Sequence, residues 1–423
     1  MNGILLGCIA DDYTGGTDAA ASLRRAGLRT VLRFGRPEPG EPLPECDAVV
    51  VAVKTRNVPA TGAVDAALAV RDWLGPVGEL YFKYCSTFDS TDAGNIGPVA
   101  DALLSATGRA LTVICPASPA HGRTVYRGHL FVEDRLLSES PMRHHPLTPM
   151  TDPDLVRVLT LQTPHPVGLL GLDTVRDGAA AVRARLETLA AQGVRHVVAD
   201  ATTDDDLAVI AEAARGFALA TGGAGLAGAI GLAEAAGGTG PLGTAARAAS
   251  KALAGDSGPA RLPQTPGLIL AGSCSAATLA QVAAVREVLP AYRLDPASTG
   301  DPAELLAGAS AWLKDHWDRP AMVYASAPAE ERGASRLGPD TAAVLERTLA
   351  ALAVEAVAVG TRRIVVAGGE TSGAVVEALG VRAVEVQAEA APGVPWCVTG
   401  DGLALLLKSG NFGDPDLLVR AAA

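Results

Sequence analysis

In the first half of the chain, short apolar runs recur between longer Ala-rich stretches. ILLGCIA, TVLRF, AVVVAV, LYFKY, LTVIC, VGLLGL, HVVAD and FALAT have the length and composition of strands. Between them the pattern predicts helices. One covers Thr17 to Ala26 and is closed by Gly27; another covers Thr203 to Arg215, where the acidic first turn suits a helix N-terminus. Alternation of strand and helix predicts parallel α/β layers. The rhythm fails between about residues 237 and 267, where Gly and Pro accumulate and no strand-type run occurs. A second series then begins: GLILAG, a helix from Ala276 to Leu289, AMVYAS, a long helix from Thr341 to Val359, RRIVVAGG and AVEVQ. The expected fold is α/β with two domains, each a mainly parallel sheet flanked by helices. Their expected bounds are 1–236 and 267–423, with 237–266 as linker.

Length agrees with this division, since 423 residues exceed the size at which one hydrophobic core stops growing. Apolar residues make up 48% of the chain and aromatics only 4%, which favours closely packed small side chains over aromatic stacking platforms. A formal net charge of −11 without a Lys/Arg cluster argues against a nucleic-acid groove. Any anion must therefore be met by locally placed donors. The six cysteines are scattered, form no CxxC pair and read as reduced, core-packed thiols. The N-terminus lacks a basic segment and reaches Asp11 early, and polar residues interrupt the longer apolar runs before they could span a bilayer. The expectation is a cytoplasmic protein that binds neither membrane nor nucleic acid.

In open α/β sheets, ligands gather beyond the carboxyl ends of the strands. The unusual polar residues fall repeatedly at that position. DDYTGGTD follows the first strand, KYCSTFDSTDAGNIGP follows LYF, and PASPAHGRTVYRGHLFV follows LTVIC. In the second half, GSCSAAT follows GLILA and GGETSG follows IVVA. Each has a plain structural reading as well. Asp12 or Thr14 can cap the next helix, and the Ser and Asp of STFDST can satisfy their own turn. The Gly-rich loops of the second half expose backbone N–H groups suited to phosphate, although GGETSG lacks the Lys of a P-loop. His121, His129, His144 and His145 show no metal-ligand spacing and read as hydrogen-bonded or surface residues.

Together, ADDYTGGTDAA, KYCSTFDSTDAGNIGP, GRTVYRGHLFV, HHPLTPMTD, AGSCSAAT, VVAGGETSGAVVEALG and APGVPW resemble the four-carbon acid sugar kinase family, in order and over almost the whole chain. The resemblance implies an N-terminal substrate-binding domain and a C-terminal nucleotide-binding domain. It also implies ATP-dependent phosphorylation of a four-carbon sugar acid. KYCSTFDST and PLTPMTD are most similar to members that phosphorylate the terminal hydroxyl of 3-oxo-tetronates. Many relatives carry Arg where Ala93 stands, which argues for the 3-oxo acids over D-threonate or D-erythronate.

The resemblance and the chemistry of a polyol, whose hydroxyl donors need acceptors, assign the site residues. Asp12 is the first candidate for hydroxyl recognition or general base and Asp11 the second; the sequence does not separate them. Thr14, Gly15 and Gly16 would allow close backbone approach, and Ser86, Asp89, Ser90, Thr91 and Asn95 would complete the pocket. Lys83 and Arg123 are candidates to meet the carboxylate. For ATP the candidates are Ser273, Ser275, Gly368, Gly369, Glu370 and Thr371, with Gly410 of KSGNFG added by resemblance. Magnesium is expected with ATP, held by phosphates and water and by no dedicated protein ligands. Two other readings stay open: a related kinase acting on D-threonate, D-erythronate or 3-oxo-isoapionate, and a two-lobed sugar-acid binding protein without catalysis. The sequence leaves homo-oligomer formation undecided.

Overall fold

The computed structural model describes residues 3–145, 147–237, 262–328 and 334–423. The chain divides into two compact units, Met1–Ser257 and Gly258–Ala423. Most of the segment expected as linker lies outside the described residues.

The first unit opens with strands β1 (Leu6–Ala10), β2 (Thr30–Phe34), β3 (Ala48–Ala52), β4 (Glu79–Lys83) and β5 (Thr112–Cys115). A small antiparallel sheet follows, formed by β6 (Arg123–Tyr126), β7 (His129–Val132) and β8 (Arg135–Leu136). Strands β9 (Val167–Leu170), β10 (His196–Ala199) and β11 (Leu219–Gly222) complete the main sheet. Its order is β2-β3-β1-β4-β11-β5-β10-β9, with every pairing parallel. β1 and β3 are buried at every residue, the reason their sequences read as unbroken apolar runs. β1 lies between β3 and β4, so the chain leaves it toward one side of the sheet and later returns on the other. The carboxyl end of β1 is thus a topological switch point.

Helix α1 (Tyr13–Arg25) starts four residues before the position that the apolar pattern predicts. Asp12 is its N-cap and accepts the Gly15 N–H at 3.1 Å, which turns the Thr-Gly-Gly segment into the first helical turn. The glycines fit there because α1 lies flush on the sheet: a Cβ on Gly16 would stand 2.6 Å from the Ala52 Cβ. Two further helices frame the site, α2 (Ala60–Leu74) and α3 (Ile96–Thr107).

In the second unit the strands are β12 (Leu268–Ala271), β13 (Ala291–Arg293), β14 (Ala321–Tyr324), β15 (Arg363–Ala367), β16 (Ala383–Ala391), β17 (Val394–Val398) and β18 (Ala404–Lys408). They run in the order β13-β14-β12-β15-β18-β17-β16, parallel as far as β18 and antiparallel from there through β17 to β16. Ile269, Met322, Val365, Trp396 and Leu406 of this sheet pack with Val282 and Val285 of the helix Ala276–Val288 and with Leu417 and Leu418. Both units are mainly parallel sheets flanked by helices.

Candidate active site

In the first unit the loops beyond β1, β3 and β4, three neighbouring strands, bring five charged side chains together. Asp11 and Asp12 follow β1, Arg56 follows β3, and Lys83 and Asp89 lie at and after the end of β4. Arg56 is the organising group. Its Nε donates to Asp11 Oδ2 at 2.9 Å, and its Nη2 donates to Asp11 Oδ1 at 2.8 Å and Asp12 Oδ1 at 2.5 Å. Nη1 stands 3.8 Å from Asp89 Oδ2. The Lys83 Nζ donates to the Tyr84 carbonyl at 2.9 Å, and a Cβ on Gly15 would approach that Nζ to 2.7 Å and overlap Asp12 Oδ1. Gly15 therefore makes room for the charged cluster, whereas Gly16 answers to helix-on-sheet packing.

The two adjacent carboxylates are not equivalent. Burial pushes the Asp11 carboxyl above its ordinary value, although Arg56 opposes this. Burial also acts on Asp12, but Arg56, Lys83 and the Gly15 N–H outweigh it and hold its carboxyl below the usual range. The Asp12 side chain keeps 25% exposure against 5% for Asp11, so Asp12 is the one that can meet a ligand.

The segment after β4 is tightly cross-tied. Phe88 is fully buried in the left-handed backbone region, φ 63°, and its ring meets Tyr84 edge-on at 5.5 Å. A left-handed aromatic residue is uncommon and persists only where packing fixes it. Thr87 Oγ1 donates to Asp89 Oδ1 at 2.6 Å. Gln162 holds the following loop by donating to Ser90 Oγ at 2.9 Å and the Thr91 carbonyl at 2.6 Å, while its Oε1 accepts the Gly97 N–H at 3.0 Å. The amide of Asn95 donates to the carbonyls of Thr55 at 2.8 Å, Val58 at 3.1 Å and Arg56 at 3.3 Å. It thereby anchors the loop that carries Arg56. Ser86 is half-buried in the turn after β4 and Ala93 is exposed.

Arg123 stands at the start of β6, where its guanidinium donates to the His121 carbonyl, and among the described residues it has no ion pair with the cluster. His121 bonds Ser118 Oγ and His145 bonds Thr148 through ring nitrogens at 2.9 Å each. Among the described residues no group of three or more His, Cys, Asp or Glu side chains is arranged to hold a metal ion.

The second unit repeats the placement with different chemistry. The loops beyond β12, β15 and β18, again neighbours, meet at two helix N-termini. Ser275 caps the helix Ala276–Val288, and Gly368, at φ 135°, precedes the helix Gly369–Ala378. Ser275 Oγ donates to the Gly410 carbonyl at 2.5 Å, and Thr278 Oγ1 donates to the same oxygen at 2.8 Å. Ser273 Oγ accepts the Ser275 N–H at 3.2 Å. Side chains have no room here: a Cβ on Gly272 would overlap Thr371 Oγ1, and one on Gly410 would overlap Ser273 Oγ. Gly369 is half-buried, Glu370 is exposed and Thr371 is buried. Ser372 Oγ, buried in the first turns of the helix Gly369–Ala378, has no hydrogen-bond partner among the described residues. Bare backbone, hydroxyls and two helix N-termini form a donor set suited to phosphate oxygens.

Three contributors escaped the sequence reading. Arg56 sits in KTRNVP directly after AVVVAV, so the strand-end rule that flagged the other loops also reaches it. Lys408 ends β18 and opens KSGNFG. Gln162 carries no local signal, because its partners are about seventy residues away in sequence.

Comparison with known proteins follows the same division. A family described as the sugar-binding N-terminal domain matches residues 6–230, and one described as the nucleotide-binding C-terminal domain matches residues 268–418. The chain is 50% identical to a 3-oxo-tetronate kinase of Burkholderia multivorans, covering 99% of this chain and 96% of the relative. It is 49% identical to a 3-oxo-tetronate kinase of Cupriavidus necator, with the same coverage. Among solved structures, a Salmonella typhimurium LT2 protein described as a tRNA synthase superposes with a TM-score of 0.83 at 38% identity, over 100% of this chain and 99% of that one. A Haemophilus influenzae protein gives a TM-score of 0.77 at 38% identity over 98% of both chains.

Proposed function

Because this chain belongs to the four-carbon acid sugar kinase family, we propose that it is an ATP-dependent kinase converting 3-oxo-tetronate to 3-oxo-tetronate 4-phosphate. The observation that carries the reading is likeness to 3-oxo-tetronate kinases over 99% of the chain. The geometry supports it. The first unit offers carboxylates and hydroxyls at a switch point, the acceptors and donors that a polyol acid requires. In the second unit, crowded glycines, hydroxyls and helix N-termini suit nucleotide phosphates.

Asp12 accepts the proton of the 4-hydroxyl as the new O–P bond forms and the bond to the ADP leaving group breaks, and later releases that proton to water. Lys83 and Arg56 supply positive charge beside it. Ser273, Thr371 and the backbone at Gly368, Gly369 and Gly410 would hold the nucleotide, and Ser275, whose hydroxyl donates to the Gly410 carbonyl, would shape the loop around it. When bound, ATP supplies the phosphoryl group, and magnesium on its phosphates neutralises their charge. The test is a substrate panel read by coupled ADP release. 3-oxo-tetronates should turn over with phosphate on O4, and D-threonate, D-erythronate and 3-oxo-isoapionate should be poor substrates. Efficient phosphorylation of D-threonate with none of the 3-oxo acid overturns the substrate and keeps the kinase. No ATP consumption with any acid overturns both.

A further inference from the structure

Arg56 lies outside the motifs that carry the family resemblance, yet the charged cluster is built around it. Two sets of bonds fix its loop independently. On one side the Thr55 and Arg56 N–H groups donate to the Asp11 carbonyl at 2.9 and 3.2 Å. On the other, the Asn95 amide reaches the carbonyls of Thr55, Arg56 and Val58. The guanidinium is thus delivered to one place, with its planar fork spanning both carboxylates.

Adjacent carboxylates repel one another, and a base must stand still while a proton reaches it. Arg56 meets both needs asymmetrically, binding both Asp11 oxygens but only Oδ1 of Asp12. Asp11 is thereby committed to the guanidinium, while Asp12 keeps part of its carboxylate turned to solvent. We propose that Arg56 is the positioning residue of the phosphoryl transfer, holding Asp12 in place, in preference to Asp11, as acceptor of the hydroxyl proton. This rests on the kinase reading above.

Around the pair, Cys8 and Tyr84 face Asp11, and burial pushes both upward, so both stay neutral. Asp11 and Lys83 act on Asp12 besides Arg56. Asp89 and Cys85 face Arg56, and burial pushes the Cys85 thiol up to about 12, so it stays neutral. Lys54 stands 5.2 Å from the Tyr13 ring at the start of α1. Of the two cations acting on Asp12, Arg56 has the larger effect.

The experiment titrates the Asp12 carboxyl directly, by carbon-13 NMR of the full chain labelled at aspartate, with the resonance assigned by its loss in Asp12→Asn. Profiles of kcat/KM against pH are measured alongside. Asp12→Asn should lower kcat by about 10²-fold or more, because Asn keeps the cap and shape but takes no proton. Arg56→Gln should move the Asp12 midpoint upward by about one to three pH units, with the acid limb of kcat/KM following it. Arg56→Lys should return the midpoint toward wild type yet leave kcat low, since an ammonium cannot span both carboxylates. An unmoved midpoint in folded Arg56→Gln overturns the proposal. A raised KM for the acid with an unmoved midpoint also overturns it and makes Arg56 the substrate's own counterion. If wild type phosphorylates no acid, the kinase reading fails, while the NMR midpoint still decides whether Arg56 controls Asp12.

Discussion

Lys408 shows how much one buried charge can decide. It ends β18 at 0% exposure, and its Nζ donates to Thr278 Oγ1 at 2.9 Å, the Ser409 carbonyl at 3.0 Å and the Gly410 carbonyl at 2.9 Å. All three protons are used, two of them to hold the loop that closes on Ser273 and Ser275. Burial pulls the ammonium down to about 8. Below that pH Lys408 is charged and fully bonded; as pH rises through it, one donor and the charge are lost. If the loop holds ATP, kcat/KM for ATP should fall above about pH 8, by roughly fivefold or more for one lost charged hydrogen bond. Stability should move the other way. Between about 8 and the ordinary lysine value of 10.5, the unfolded chain binds a proton that the folded chain does not, so this group's contribution to stability rises with pH. Melting curves and steady-state kinetics over the same pH range separate the two effects. Lys408→Met should bind ATP weakly at every pH and lose the alkaline limb; a limb that survives in this variant would assign the titration to another group.

Helix α1 makes the corresponding case for a whole element, because its position on the sheet depends on the absence of side chains. At Gly16 a Cβ would stand 2.6 Å from the Ala52 Cβ and 3.3 Å from Leu32 Cδ1, whereas at Gly62 of α2 it would meet only Val58 Cγ2 at 3.9 Å. Helix propensity alone favours Ala at both positions by roughly 0.5–1 kcal/mol. Packing reverses the sign at one of them: Gly16→Ala should destabilise by about 1–3 kcal/mol, while Gly62→Ala should be neutral or stabilising. Denaturant melts of the two variants check this, and equal effects would remove α1 packing as the cause. The same helix marks where the sequence stops being legible. Strands such as AVVVA and LGCIA were readable because burial on both faces leaves an unbroken apolar run. The start of α1 was not, since Thr-Gly-Gly reads locally as loop and becomes helix only through the Asp12 cap and the facing Ala52. The antiparallel turn from β18 through β17 to β16 was equally hidden, because AVEVQ marks a strand without its direction. At the site, the clustering of polar residues at strand ends was legible. The Asn95 amide holding the Arg56 loop was not, since its partners lie about forty residues away in sequence.

At the scale of the whole molecule, a chain of net charge −11 must accept two anions, so attraction has to be local. On the proposed assignment of one ligand to each unit, each would meet its anion within itself. In the first, Asp11 and Asp12 take up the Arg56 guanidinium, which leaves Lys83, at the end of β4, as the cation that would meet the acid. The second uses N–H groups and hydroxyls at the ends of β12, β15 and β18, with Lys408 behind them. If the acid belongs to the first unit and the nucleotide to the second, damage to one site should leave binding at the other intact. Gly410→Ala provides the test, because its Cβ would overlap Ser273 Oγ and stand 3.0 Å from Ser275 Oγ, forcing the β18 loop away from the helix cap. Overpacking of about 1–3 kcal/mol at a ligand loop corresponds to roughly a 5- to 150-fold loss of ATP affinity. Calorimetry on the full-length variant should show that loss with the Kd for the sugar acid unchanged. A parallel loss of acid binding in a folded Gly410→Ala protein would mean that the acid also depends on the second unit, and the assignment of one ligand to each unit would fall.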